Sequence, residues 1–173
     1  MNYINYIESE FNYQINNFPL NDINKFAEII KKSNTIYFSG IGKSETIASH
    51  CCSLLKSIGY NCFNLNITNS LHGDVGTLNK NDLLILFSNS GNTKELIEII
   101  PIIKNREVLV YGICCNNNSK FSTLINTIVC PFKQELQIGE LTQIPTNSIM
   151  SHLIFINILV GLLGENINTY NYK

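Results

Sequence analysis

Two rhythms of apolar residues alternate along this chain. Segments near 35–39, 61–65, 82–88, 108–113 and 127–130 are largely apolar, and Leu83-Leu84-Ile85-Leu86-Phe87 is apolar without a break. Runs of that length predict strands buried on both faces. Between them, apolar residues recur every three or four positions, which predicts helices near 44–58, 93–105, a short one at 120–124 and a last one over 147–163. Ahead of the first strand, Ile4, Ile7, Phe11 and Ile15 share helical spacing, so 1–18 reads as a loose amphipathic helix. Asn21 or Asp22 then opens a second helix ending near Lys32. Continuous apolar strands alternating with helices predict an α/β fold: a three-layer αβα sandwich of flavodoxin-like type with a five-stranded parallel sheet, its ligands at the carboxyl ends of the strands. The expected organisation is a single domain over 1–173, made of N-terminal helices (1–33), an αβα core (34–165) and a tail (166–173).

Two of the predicted strands end in turns rich in hydroxyls and glycine. The first is Ser39-Gly40-Ile41-Gly42-Lys43-Ser44 and the second is Ser88-Asn89-Ser90-Gly91-Asn92-Thr93. Each precedes a helix, and a helix N-terminus presents unpaired N–H groups and about half a positive charge. Hydroxyls gathered there suit a phosphate-sized anion. The plainer alternative is that Ser90 or Thr93 caps its helix. Glycines permit close backbone approach and positive φ, and Lys43 adds a fixed charge at the mouth of the sheet. Neither turn has the Walker A spacing, and the first departs from G-x-G-x-x-G because Glu45 stands at the third glycine position. Nucleoside triphosphates and dinucleotides are therefore disfavoured.

Composition narrows the picture further. A chain of 173 residues with 45% hydrophobic content can bury a sizeable core, and its net charge of −1 argues against a nucleic-acid or membrane-surface partner. No basic segment followed by an apolar core opens the chain, and no window of about 18 residues is uninterruptedly apolar. The expected location is the cytoplasm, with no membrane partner. Six cysteines include the adjacent pairs Cys51-Cys52 and Cys114-Cys115 but no C-x-x-C, so they read as small buried hydrophobes and no metal site is expected.

Together, Ser39-Gly40-Ile41-Gly42-Lys43-Ser44, Leu71-His72-Gly73-Asp74, Ser88-Asn89-Ser90-Gly91-Asn92-Thr93-Lys94-Glu95 and Ile144-Pro145-Thr146-Asn147-Ser148 resemble the sugar isomerase (SIS) domain, most closely its D-arabinose 5-phosphate isomerase branch. The resemblance implies an aldose–ketose isomerase that interconverts ribulose 5-phosphate and arabinose 5-phosphate through an enediol, without metal or organic cofactor, on the route to the eight-carbon acid Kdo. It implies a phosphate held by Ser88, Ser90 and Thr93, with Ser39, Gly40, Gly42, Ser44, Asn89, Gly91, Thr146 and Ser148 also on the substrate. His72, Lys43, Glu95 and Glu135 are the implied catalytic residues, and a homotetramer is the implied assembly. Plainer roles exist for each: His72 as a loop histidine, Glu95 as a solvated partner of the helix dipole, Lys43 as a surface charge.

The chain also departs from that pattern. The family's catalytic glutamate falls out of register, so that Glu135 or Glu140 would serve, with Glu135 preferred. An S-H-P-G-G segment and paired CBS domains are not found, while His50 and His152 fall in predicted helices and read as core or surface positions. Two function classes follow: a minimal isomerase, whose substrate could also be a hexulose 6-phosphate or sedoheptulose 7-phosphate, and a sugar-phosphate-binding module without turnover.

Overall fold

Alternate residues of the central strand serve opposite faces of one sheet. The computed structural model describes residues 2–70, 73–138 and 142–165. In it, β3 (Leu83–Phe87) sends Leu83, Ile85 and Phe87 into one apolar cluster and Leu84 and Leu86 into another. That is the two-residue period of a strand covered on both sides, and full burial of each such side chain is worth about 1.5–3 kcal/mol. Parallel neighbours flank it: β1 (Ile36–Gly40), β2 (Cys62–Asn64), β4 (Leu109–Cys114) and β5 (Asn126–Val129). The sheet order is β2-β1-β3-β4-β5, all parallel, which is the flavodoxin-like winding.

Helices fill both faces. On one side lie α2 (Leu20–Lys32), α3 (Lys43–Ser57) and α7 (Asn147–Gly164), which bury Phe26, Ile30, Leu55, Phe155 and Leu159. On the other lie α4 (Ile67–Ser70), a single 3-10 turn (Asp74–Thr77), α5 (Lys94–Lys104) and α6 (Lys120–Leu124), with Leu96, Ile99, Ile103 and Phe121 buried. The expected three-layer sandwich is thus present, and its strands and long helices lie within a few residues of the expected bounds. An antiparallel hairpin of β6 (Leu136–Ile138) and β7 (Thr142–Ile144), not expected from the sequence, leads into α7. By length and composition alone helix α7 could cross a membrane, although Ser151, His152 and Asn157 interrupt its apolar run. Here it buries Phe155, Ile156, Leu159 and Leu163 against the sheet.

Helix α1 (Tyr3–Asn17) lies outermost and packs on α7. Its buried residues are polar: Gln14 Nε2 donates to Glu10 Oε1 at 3.0 Å and to the Asn147 carbonyl at 2.9 Å, and Glu10 Oε1 also accepts the Lys133 N–H. The apolar stripe of α1 faces outward.

Candidate functional site

The strand order reverses between β1 and β3, and ligands of open α/β sheets bind outside the carboxyl ends of the strands at such a point. Both hydroxyl-rich turns leave the sheet there. At the end of β1, a Cβ on Gly40 would fall 2.7–2.8 Å from the Ser44 and Glu45 backbone, so only glycine lets α3 start this close to the strand. Gly42 follows with φ +61°, the left-handed conformation that glycine adopts without strain. Neither Gly42 before α3 nor Thr93 before α5 caps its helix through a side chain.

In the second turn the hydroxyls organise the backbone. Ser88 Oγ accepts the Gly91 N–H at 3.0 Å and pairs with Thr93 Oγ1 at 2.8 Å, while Ser90 Oγ accepts the Asn92 N–H at 3.1 Å. The simple capping reading therefore fails for Thr93, whose hydroxyl turns to Ser88 instead. Gly91 has φ +61°, and a Cβ there would lie 2.6 Å from Ser119 Cβ.

A third helix start joins these two. Glu135, 7% exposed, directs Oε2 at the first turn of α7, where it accepts the N–H groups of Thr146 at 2.9 Å, Asn147 at 2.8 Å and Ser148 at 3.3 Å. Its other oxygen accepts from Asn89 Nδ2 at 3.4 Å. The first turn of α7 carries no acidic residue of its own, so Glu135 supplies the anion that complements that helix end. The same carboxylate thereby ties the turn after β3 to α7.

Beside this junction lies a cavity of about 210 Å³ whose walls include Lys43, Ser44, Asn89, Ser148 and His152. Lys43 has no ion-pair partner among the described residues. Ser148 Oγ is buried with no hydrogen-bond partner, and so is Ser39 Oγ at the end of β1. A larger hollow of about 520 Å³, between α1 and the end of β5, contains none of the expected site residues.

The expected residues divide in three. Lys43, Ser44, Asn89 and Ser148 meet at the cavity, with Glu135 bonded to Asn89 and to the backbone of Thr146 and Ser148; Gly40, Gly42, Ser88, Ser90, Gly91 and Thr93 shape the two turns beside it. Glu95 is exposed in the first turn of α5 and is not on the cavity wall. His72 and Glu140 lie outside the described residues. Sequence reasoning missed His152: it is buried as expected for a core position, yet it reaches the cavity, and only the packing of α7 reveals this. His50, by contrast, is exposed.

Residues 29–161 match the SIS domain. The chain belongs to the SIS domain family. It is 36% identical over 147 residues to an uncharacterized protein of Chlamydia muridarum, covering 83% of this chain and 43% of that one. It is 33% identical over 99 residues to the arabinose 5-phosphate isomerase KdsD of Francisella tularensis, covering 55% of this chain and 30% of the relative. This SIS chain thus spans less than half the length of either relative. Among solved structures, a candidate phosphosugar isomerase involved in capsule formation from Bacteroides fragilis superposes with TM-score 0.80 at 28% identity, over 92% of this chain and 87% of that one. An Escherichia coli protein solved in complex with a sugar phosphate shares the SIS fold at 22% identity and TM-score 0.76, over 92% and 89% of the two chains.

Proposed function

We propose that this SIS domain binds a phosphorylated sugar at the switch point and isomerises it, with ribulose 5-phosphate and arabinose 5-phosphate as the pair. The observation that carries the reading is the meeting of two hydroxyl-rich turns and the α7 start at the switch point, with Lys43, Ser44, Asn89 and Ser148 on the wall of one small cavity. In this reading Ser90 and Thr93, together with the free N–H groups of α5, hold the phosphate, Ser88 shapes that turn, and Lys43 contacts sugar oxygens. Glu135 takes the C1 proton of the ketose to give an enediolate, the hydroxyl proton passes from O1 to O2, and Glu135 returns its proton at C2, giving the aldose. No group is gained or lost, so the chemistry needs a base, a donor for the enediolate oxygens and exclusion of water.

The engagement of Glu135 Oε2 by three backbone N–H groups favours a second reading. A carboxylate so occupied also serves as a structural clasp, and the chain would then bind a sugar phosphate without turning it over. A coupled assay of the purified protein with ribulose 5-phosphate separates the two. Formation of arabinose 5-phosphate supports the isomerase. Tight calorimetric binding without turnover of any pentose, hexose or heptose phosphate replaces it with the binding module.

A further inference from the structure

His152 lies on the second turn of α7, one helical turn beyond Ser148, 2% exposed and on the wall of the cavity. Its ring is held on two sides. Phe87, the last residue of β3, meets it edge-on with centroids 5.7 Å apart, and Cys115, just past the end of β4, places Sγ 3.6 Å from Nε2. The same sulfur reaches the Ser148 carbonyl only at 3.9 Å, so the imidazole is its nearer partner. Among the described residues no hydrogen bond is made to Nδ1.

The state of the pair follows from burial. Loss of solvent pushes the Cys115 thiol well above its ordinary range, with Cys114 and Glu135 adding to the effect, so the sulfur keeps its proton. Burial lowers the His152 imidazole to about 4, so the ring is neutral at pH 7. A thiol that donates to Nε2 leaves the ring's single proton on Nδ1, whereas one that donates to the Ser148 carbonyl accepts from Nε2–H; the shorter contact favours the first arrangement. Lys43 on α3 is the charged side chain that shares the cavity wall.

We propose that His152 contacts the sugar directly, with Nδ1–H donating to the oxygens of the carbonyl carbon and its neighbour, and that Cys115 is the positioning residue that sets this tautomer. The inference deepens the isomerase reading and rests on it for the choice of ligand. A neutral imidazole is well suited to this task. As the ketone becomes an enediolate, negative charge grows on oxygen, and a fixed neutral donor follows that charge without itself having to be desolvated as an ion. Ser148, whose buried hydroxyl has no hydrogen-bond partner, belongs to the same wall.

Nitrogen-15 spectra of histidine-labelled protein test the assignment, with the His152 signal identified by its loss in His152→Gln. The free protein should show the Nδ1–H tautomer for that residue, and Cys115→Ala should release it to a mixture. Saturating ribitol 5-phosphate, which cannot isomerise, should shift the same signal. If calorimetry shows the probe bound while the His152 signal stays put, the inference is overturned and the isomerase reading survives. If the probe shifts His152 but ribulose 5-phosphate is not turned over, the contact stands and the isomerase reading fails; no binding of any sugar phosphate removes both. In the active protein, His152→Phe, which keeps a ring against Phe87 but has no donor, should lower kcat by about 10²- to 10³-fold with KM changed only a few-fold. His152→Gln, which restores an N–H, should recover part of that loss, and a folded His152→Phe with undiminished kcat overturns the proposal.

Discussion

The hydroxyls after β3 differ in what they hold, and substitution separates them. Ser90 is exposed and its Oγ accepts one N–H within the turn, whereas Ser88 is buried and supports both Gly91 and Thr93. Ser90→Ala should leave thermal stability nearly unchanged and weaken sugar-phosphate binding about ten-fold, the scale of one hydrogen bond to a charged group. Ser88→Ala should cost both affinity and about 1–2 kcal/mol of stability, since the Gly91 N–H is left buried without an acceptor. Calorimetric titration beside a melting curve reads both, and equal losses from the two variants would contradict this division. His152 carries a second residue-scale consequence. The unfolded chain takes up its proton near 6.5, the folded chain near 4. Between those values the unfolded state binds more protons, so stability falls as the pH is lowered through that window, by up to about 3 kcal/mol, and is unaffected by this group above it. Cys115, its titratable partner, keeps its proton throughout. Urea midpoints at pH 7 and pH 4.5 should therefore diverge less in His152→Gln than in the wild type, and identical pH slopes would refute the assignment.

At the scale of elements, the start of α7 depends on an anion brought from 12 residues earlier in sequence, as the span from Glu135 to Asn147 shows. Glu135→Gln keeps an acceptor but removes the charge that complements the helix end, so about 0.5–2 kcal/mol of stability should be lost, together with the link to Asn89. Denaturant unfolding measures the first and sugar-phosphate affinity the second; a variant as stable as the wild type would show that the charge contributes nothing there. This clasp also marks where sequence reading stops. The five strands and the long helices were legible because each carries a period, two for β3 and nearly four for α3 or α5, and a period survives without tertiary information. The hairpin β6–β7 was not legible, because no helix separates Leu136–Ile138 from Thr142–Ile144, so the pair stands outside the strand–helix alternation that marks even the three-residue β2. Glu135 was a preference over Glu140 for a glutamate out of register, and its bonding to three N–H groups could not be read from sequence, since it needs the hairpin to turn the carboxylate back onto α7. His152 was hidden for a related reason: within an apolar helix a lone histidine looks the same whether it faces core or cavity, and only the packing of α7 against Phe87 and Cys115 separates the two.

On the scale of the whole molecule, α1 is built inside out. Glu10 and Gln14 are buried against α7 and the segment before the hairpin, and Tyr6 accepts from Asn147 Nδ2 at 2.6 Å, so a polar seam fixes the helix to the site end of α7. Its opposite face presents Ile4, Ile7, Phe11 and Ile15, exposed by 76, 51, 42 and 48%. Residues at three- and four-residue spacing form one continuous stripe, and burying the exposed half or so of each would yield about 1 kcal/mol on each copy, a drive for association that works against the cost of lost freedom. A second copy of this chain suits such a stripe, since a two-fold axis pairs it with itself and matches apolar to apolar without any new chemistry. The expected homotetramer would then use α1 in at least one of its interfaces. The protein should sediment at micromolar concentration as a species larger than its 19.5 kDa chain. Replacing Ile7 and Phe11 together by lysine should release monomers without unfolding them, because neither side chain is in the buried core. Two results would contradict this: a wild type that sediments as a monomer, or an assembly that survives the double replacement and so owes nothing to α1.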